Sequence, residues 1–197
     1  SFVKQFWAFI EAGGYQHRQK GNGREQFYRF SHPSEDDFPA MVELFSRKPE
    51  GLQLPPGAIL APIPTGESMA SLSAILLNDV YYQLLLTGRT VVDGYSVLRL
   101  EFLLLFKIRA WLDLSGLVAQ GEMIDARDVR KHKNDVFRLL MYVDPMVKIP
   151  VDGAIMSDID RFLQQVAEEK TDLRSLGIRS TGMNELLARL SGVYLVE

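Results

Sequence analysis

The chain has 197 residues, a formal net charge of −3, no cysteine, 47% hydrophobic residues and 24% charged residues. This composition is typical of a soluble globular protein with one domain or two small ones. The net negative charge argues against a protein that coats nucleic acid, although it is compatible with a local basic patch. The absence of cysteine excludes disulfides, thiol catalysis and cysteine-ligated metals.

The longest apolar region, residues 97–118, contains five charged side chains, which is too many for a membrane span. No secretory signal peptide is recognisable at the start of the sequence. We therefore expect a cytoplasmic protein without a membrane partner.

The first half of the chain is predicted to consist mainly of strands. Residues 2–12 are expected to form a helix that a glycine pair ends, and a polar loop follows through residue 24. Strands are predicted at residues 26–32, 39–46, 58–61 and 68–75. In the second of these, alternation places Met41, Glu43 and Phe45 on one face of the sheet and Val42 and Leu44 on the other.

The second half is predicted to be helical. Residues 78–86 resemble a short helix, and Asp93-Gly94 between two β-branched runs predicts a hairpin. Further helices are expected at residues 98–117, 125–142, 152–170 and 181–190. Strands followed by helices predict an α+β fold, with a mixed or antiparallel sheet in residues 15–97. Two parts are expected: residues 1–97 with the sheet, and residues 98–197 as a helical bundle.

The predicted helix at residues 125–142 carries the densest set of ionisable side chains. Its apolar stripe consists of Val129, Val136, Leu139, Leu140 and Val143. His132 falls inside this stripe, and Lys131 and Asp135 lie one turn apart on its flank, where a pocket wall would be. These three residues are candidates for ligand binding or catalysis. The alternative is a structural ion pair between Lys131 and Asp135 beside a core histidine.

Two other charged residues stand in apolar surroundings. Lys107 lies in a helix that is apolar nearly all round, so it must extend to solvent, pair with an acid or contact a phosphate or carboxylate in a cleft. Glu43 lies in the middle of a strand, where it is either an outward-facing residue or a carboxylate directed at a metal. A single glutamate does not hold Mg²⁺ firmly. The sequence has no Walker loop, dinucleotide-binding glycine motif, zinc-protease motif or nucleophile elbow.

Three segments, taken in order, resemble a known family. They are the strand pair at residues 27–30 and 41–47, the apolar helix with a central lysine at residues 100–114, and Lys-His-Lys-Asn-Asp-Val at residues 131–136. The last is similar to the family's Lys-Asp-x-x-Asp-Leu helix, with His132 in place of the first Asp. Together they resemble the later part of nucleotidyltransferase-like proteins of the AbiEii/AbiGii toxin type, which have a polymerase-β-like nucleotidyltransferase fold.

The resemblance implies Mg²⁺-dependent transfer of a nucleotide from an NTP to an acceptor, for which RNA is a candidate. Glu43 would match the third metal-binding carboxylate, a position at which Asp is more usual. Lys107 would contact the nucleotide phosphate, and Lys131, with His132 beside it, would help to hold phosphate or substrate. Asp135 would act as the base.

The family's first motif, Gly-Ser followed by a closely spaced Asp pair, does not occur in residues 1–30. Metal-dependent phosphoryl chemistry of this kind needs those two carboxylates. We therefore expect the motif to precede residue 1 in a longer parent protein. The alternatives are a catalytically inactive relative that acts as a protein-binding module, for instance in a toxin–antitoxin pair, and a plain structural domain.

Overall fold

The computed structural model describes residues 2–19, 25–48, 60–63, 72–169 and 171–197. The chain divides into two compact units, Ser1–Asp79 and Val80–Glu197. The first contains one helix and six strands among the described residues, and the second is mainly helical. The predicted α+β class is therefore confirmed. The boundary between the units at residue 79 lies 18 residues before the predicted boundary at residue 97.

The first unit begins with helix α1 (Phe2–Ala12) and contains two small sheets. Strands β1 (Gln16–Gln19), β2 (Glu25–Ser31) and β3 (Met41–Glu43) form an antiparallel sheet in that order. Strands β4 (Phe45–Arg47), β6 (Leu72–Leu77) and β5 (Leu60–Ile63) form a mixed sheet, in which β4 is parallel to β6 and β5 is antiparallel to it. The strand predicted at residues 26–32 is confirmed as β2. The single strand predicted at residues 39–46 is instead two short strands, β3 and β4, which belong to different sheets, and β1 was expected to be a loop. The predictions at residues 58–61 and 68–75 lie partly outside the described residues.

Leu44 joins the two sheets. Its backbone N–H donates to the carbonyl of Tyr28 at 2.8 Å, and its carbonyl accepts from the N–H of Ile75 at 2.9 Å. Val42 and Leu44 pack against a core cluster formed by Ile10 of α1 and Phe30 of β2. Met41 and Phe45 are exposed on the opposite face, so the predicted alternation is confirmed.

The second unit starts with most of α2 (Asp79–Gly88) and a hairpin of β7 (Arg89–Val92) and β8 (Tyr95–Leu98). Asp93 and Gly94 have φ angles of 50° and 82°, and these two left-handed residues give the predicted two-residue turn. Four helices follow: α3 (Leu100–Ala119), α4 (Ala126–Leu140), α5 (Gly153–Ala167) and α6 (Met183–Val193). A short 3₁₀ turn (Arg174–Leu176) precedes α6.

Helix α3 forms the centre of the second unit, as its apolar sequence predicts. Its buried residues are Phe102, Leu104, Leu105, Ile108, Trp111 and Leu112. The ring of Trp111 meets that of Phe162 on α5 edge to face, with centroids 5.1 Å apart. The ring centroid of Phe137 on α4 lies 6.3 Å from that of Phe162. Aromatic contacts of this kind add to the apolar area that the helices bury.

Strands β9 (Ile149–Val151) and β10 (Tyr194–Val196) form a parallel pair that the sequence did not predict. Ile149, Val151 and Tyr194 are buried, and the Tyr194 hydroxyl donates to the carbonyl of Glu101 at 2.6 Å. Within the described ranges, none of the helices combines the length and the apolarity needed to cross a bilayer.

Candidate functional site

Helix α4 presents one face to the core and one to solvent. Asp125 caps its first turn, because the carboxylate accepts from the backbone N–H of Arg127 at 2.8 Å. Val136, Leu140 and Val143 of the predicted apolar stripe are buried, and Val129 and Leu139 are half-buried. Helix α4 packs mainly against α3. Asp135 lies along the line where the two helices meet, because its carboxylate contacts Lys107 of α3.

Lys107 of α3 and Asp135 of α4 form an ion pair across this line. The ammonium nitrogen lies 2.9 Å from Asp135 Oδ2, and the side chains are 24% and 20% exposed. Arg138 Nη1 lies 3.9 Å from the other carboxylate oxygen. Of the alternatives open for Lys107, the structure thus has the lysine paired with an acid. It also brings together the two residues to which the resemblance gives the phosphate-binding and base roles.

The ion pair between Lys131 and Asp135, which was the structural alternative for these residues, is not formed in the part of the chain that the structure describes. A lysine placed N-terminal to its acid has the weaker orientation for an i, i+4 pair. Lys107 reaches the carboxylate from the neighbouring helix instead. Lys131 lies exposed at the margin of the site.

His132 is half-buried beside the ion pair. Its Nδ1 atom is buried, and no hydrogen-bond partner for it exists among the described residues. Burial lowers the pKa of His132 below its ordinary value, and the charge of Lys107 lowers it further, against the opposing effect of Asp135. At neutral pH the imidazole is therefore uncharged, with a ring nitrogen that could accept or donate a hydrogen bond.

Glu43 lies in the first unit, on β3. Its Oε1 accepts from Arg29 Nε of the neighbouring strand at 2.6 Å, and both side chains are only partly exposed. Met41 and Phe45 flank it on the same exposed face. Among the residues that the structure describes, no group of three or more His, Asp or Glu side chains is placed to hold a metal ion. A single carboxylate engaged by a guanidinium does not by itself fit Mg²⁺.

A second polar cluster, in the helical unit, was missed by the sequence analysis. Asp158 is buried and accepts from the Tyr81 hydroxyl at 2.9 Å, from Arg109 Nη1 at 3.0 Å and from Arg161 Nη1 at 3.2 Å. Arg109 also pairs with Asp113, one turn further along α3. Burial, and then the charge of Asp158, raises the pKa of Tyr81. The one available signal was a second cation, Arg109, in the apolar helix.

Burial raises the pKa of Asp113, although the nearby guanidinium of Arg109 opposes this effect. The cluster contains two carboxylates and two guanidinium groups, Asp113 and Asp158 with Arg109 and Arg161, so their formal charges cancel. A neutral, hydrogen-bonded cluster of this kind is typical of a structural network rather than of a site that binds an ion.

Comparison with protein-family models, with curated protein sequences and with solved structures finds no match for this chain. The fold and the site define an α+β protein in which two packed helices carry a partly buried cation, carboxylate and imidazole.

Proposed function

We propose that this chain supplies the phosphate-binding and acceptor-activating residues of a nucleotidyltransferase of the AbiEii/AbiGii type. The observation that supports the proposal is the 2.9 Å ion pair between Lys107 and Asp135. These residues are 28 positions apart in the chain and lie on different helices. The family resemblance implies that Lys107 contacts the nucleotide phosphate and that Asp135 is the base at the same active site, and the two side chains are in contact.

In this proposal, a phosphate oxygen of the NTP takes the place of Asp135 at the Lys107 ammonium. Lysine binds phosphate as a compact charge with several donors, so the exchange keeps the cation paired. The released Asp135 carboxylate then accepts the proton of an acceptor hydroxyl, whose oxygen forms a bond to the α-phosphorus of the NTP while the bond to the leaving pyrophosphate breaks. Lys131 adds a second positive charge at the exposed margin, and neutral His132 offers a hydrogen bond without repelling either cation.

Glu43 remains our candidate for a carboxylate that would act on Mg²⁺ in the parent enzyme. The described residues do not complete a magnesium site, so no step above depends on the metal. Glu43 and its partner Arg29 belong to the first unit, and the other four candidates belong to the second. If Glu43 has this role, Glu43→Gln should abolish the Mg²⁺-dependent transfer activity of the parent enzyme and leave NTP binding intact.

Thermal unfolding of the chain with each NTP, with and without Mg²⁺, tests the proposal. A ligand at about 100 times its Kd stabilises the protein by roughly 2.7 kcal/mol. We expect such a stabilisation with at least one NTP, and we expect Lys107→Met to lose it when each variant is compared with its own ligand-free state.

Lys133→Met is the matched control, because Lys133 lies on the neighbouring helix α4 and, like Lys107, pairs with an acid, in its case Glu169. It should keep the response to the NTP. If no NTP stabilises the wild-type chain, or if both lysine variants lose the response equally, the proposal is wrong.

The second candidate function is a protein-binding module, as in a toxin–antitoxin pair. It is favoured by the mutual neutralisation of Lys107 and Asp135, since a structural ion pair needs no ligand. Apolar replacement of both members of such a pair is often neutral or stabilising. A Lys107→Met/Asp135→Leu variant that is as stable as the wild type, together with no NTP response in the wild type, would support this candidate.

A further inference from the structure

The hairpin of β7 and β8 exposes apolar side chains on both of its faces. Residues that lie opposite each other share a face, so one face consists of Thr90, Val92, Tyr95 and Val97. On this face Val92, Tyr95 and Val97 are 51%, 77% and 41% exposed, and Val91 on the other face is 65% exposed. A two-stranded ribbon is only marginally stable in water unless further strands or a helix pack against it.

The outer edge of β7 has open hydrogen-bonding groups. The hairpin is a sheet of two strands, so within the described ranges each strand has one edge that pairs with no other strand. The N–H of Arg99 donates to the carbonyl of Gly88 at 2.9 Å, which makes these opposite residues a hydrogen-bonded pair. Because such pairs alternate along an antiparallel ladder, the N–H and carbonyl groups of Arg89 and Val91 point away from β8. An exposed apolar edge of this kind is a template for another strand.

The sequence of β7 is complementary to itself in an antiparallel pairing. When Val91 lies opposite Val91 of a second copy, Thr90 lies opposite Val92, and Arg89 lies beside Asp93 at the start of the turn. Both charged side chains are exposed, and the two-fold symmetry brings this pair of opposite charges together twice. A two-fold dimer requires a surface that matches itself. The β7 edge meets this requirement in charge and in hydrogen bonding.

We propose that the β7 edge pairs with the β7 edge of a second copy of this chain. The product is a four-stranded antiparallel sheet in the order β8, β7, β7, β8, with the two apolar hairpin faces on the same side. It has enough strands to be stable with one apolar face. A contact between two short strands is smaller than the about 800 Å² per partner of a standard interface, so the dimer forms reversibly. The inference is independent of the proposed function, because it uses neither Lys107 nor Asp135.

The β7 edge is favoured over the β8 edge. Ser96 has the corresponding central position on β8, so pairing there would bury a polar side chain instead of Val91. That pairing would also bring Arg99 beside Asp93, but the guanidinium carbon of Arg99 already lies 4.5 Å from the centroid of the Phe102 ring. An unrelated extended peptide would satisfy the open hydrogen bonds without the charge complementarity. A second copy is therefore the partner that the edge fits best.

Disulfide cross-linking tests which edge forms the dimer. The chain has no cysteine, so a single introduced cysteine forms a disulfide only between copies. In the proposed dimer the two Val91 Cα atoms lie about 5.5 Å apart, a spacing that a disulfide spans. The two Ser96 Cα atoms lie three strand spacings apart, about 14 Å, which a disulfide does not span.

We therefore expect Val91→Cys to become a covalent dimer under mild oxidation. Ser96→Cys is the matched control, because this position is also exposed and lies opposite Val91 within the hairpin, and it should stay free of disulfide. Equal yields of covalent dimer from the two variants, or a dimer from Ser96→Cys alone, would overturn the β7 edge.

Sedimentation of the intact chain, at concentrations up to about 0.5 mM, tests the dimer without a cross-link. Val91→Pro removes the outward N–H of β7 and none of the hydrogen bonds within the hairpin. Two edge hydrogen bonds are lost per dimer, so association should weaken about 30-fold. Ser96→Pro removes the corresponding N–H from the β8 edge and should associate like the wild type.

Urea unfolding shows whether both proline variants are folded, and the cysteine variants decide the question if Val91→Pro is not. A wild-type chain that stays monomeric at every concentration would overturn the proposal and leave the edge to a different partner. Equal weakening of association in the two folded proline variants would also overturn it.

Discussion

Lys107 and Asp135 join α3 to α4 through a 2.9 Å contact between side chains that are 24% and 20% exposed. Partial burial strengthens the attraction, because less water screens the two charges. It also makes an unpaired member costly, since the remaining charge stays partly desolvated. The pair thus contributes to stability in the free protein and, under our proposal, must open for a ligand.

A double-mutant cycle at this pair should give a measurable coupling. Lys107→Met and Asp135→Asn should each lower the free energy of unfolding by about 1–3 kcal/mol. The double variant should lose little more than either single one, so that the coupling falls within about 0.5–3 kcal/mol. Urea unfolding in a Trp7→Phe background measures this, because fluorescence then reports Trp111, the one tryptophan left in the chain.

The exposed pair of Arg127 and Asp125 is the control for this cycle, since its arginine is 84% exposed. Solvent screening should make its coupling clearly smaller. Equal coupling in the two cycles would show that burial does not strengthen the Lys107–Asp135 contact.

Tyr81 should stabilise the protein through its hydroxyl. The side chain is only 3% exposed, and its hydroxyl donates to the buried carboxylate of Asp158 at 2.9 Å. Tyr81→Phe should lower the free energy of unfolding by about 1.5–3 kcal/mol, the range for hydrogen bonds to charged groups. Tyr194→Phe is a matched control, because the Tyr194 hydroxyl donates to the neutral carbonyl of Glu101. Its effect should be smaller, about 0.5–1.5 kcal/mol, and the reverse order in urea unfolding would contradict the prediction.

Local sequence patterns predicted the elements that depend on neighbouring residues. The turn at Asp93-Gly94 needs two left-handed residues, and the sequence offers an aspartate and a glycine. The alternation around Glu43 and the apolar character of α3 likewise describe faces of a single element. By contrast, β1, β9 and β10 are short, and their pairing depends on partners elsewhere in the chain. Tyr194 pairs with Ile149, for example, and neither segment carries a strand pattern of its own.

The candidate site shows the same limit. Lys131 and Asp135 are close in sequence, and an ion pair between them was one of the two interpretations of this helix, yet Asp135 pairs with Lys107 of the neighbouring helix. Tyr81 and Asp158 are 77 residues apart, and no spacing rule relates them. Tertiary packing of α3 against its neighbours decides which charges meet. Spacing along one helix does not predict these pairs, because their members lie on different elements of the chain.

The stability of the second unit should fall in mild acid because of His132. Burial and Lys107 lower the pKa of His132 from the ordinary 6.5, so below that pH the unfolded chain takes up a proton more readily than the folded one. The contribution of His132 is therefore fully present above pH 6.5 and is lost as the pH falls through its lowered folded-state pKa. Urea unfolding at several pH values between 8 and 5.5 should show this decline.

His132→Gln should flatten that part of the profile. His17→Gln is the comparison, because His17 lies exposed on β1 in the other unit, and the decline of the second unit should persist in this variant. A decline that is the same in all three proteins would mean that another group is responsible.

Two glycines of the second unit should respond to alanine in opposite directions. A Cβ atom at Gly88, the last residue of α2, would lie 2.4–2.7 Å from atoms of the Phe102 side chain, including its own Cβ. Phe102 is buried and cannot swing away, so Gly88→Ala should lower the free energy of unfolding by about 1–3 kcal/mol. Gly116 lies within α3, and a Cβ atom added there would have no neighbour within 4 Å apart from its chain neighbours and its own helix backbone. Gly116→Ala should therefore raise the free energy of unfolding by roughly 0.5–1 kcal/mol through better helix propensity. Urea unfolding followed by the fluorescence of Trp111 measures both variants. If the free energy of unfolding changes in the same direction in both, close packing of Gly88 against Phe102 does not decide the effect.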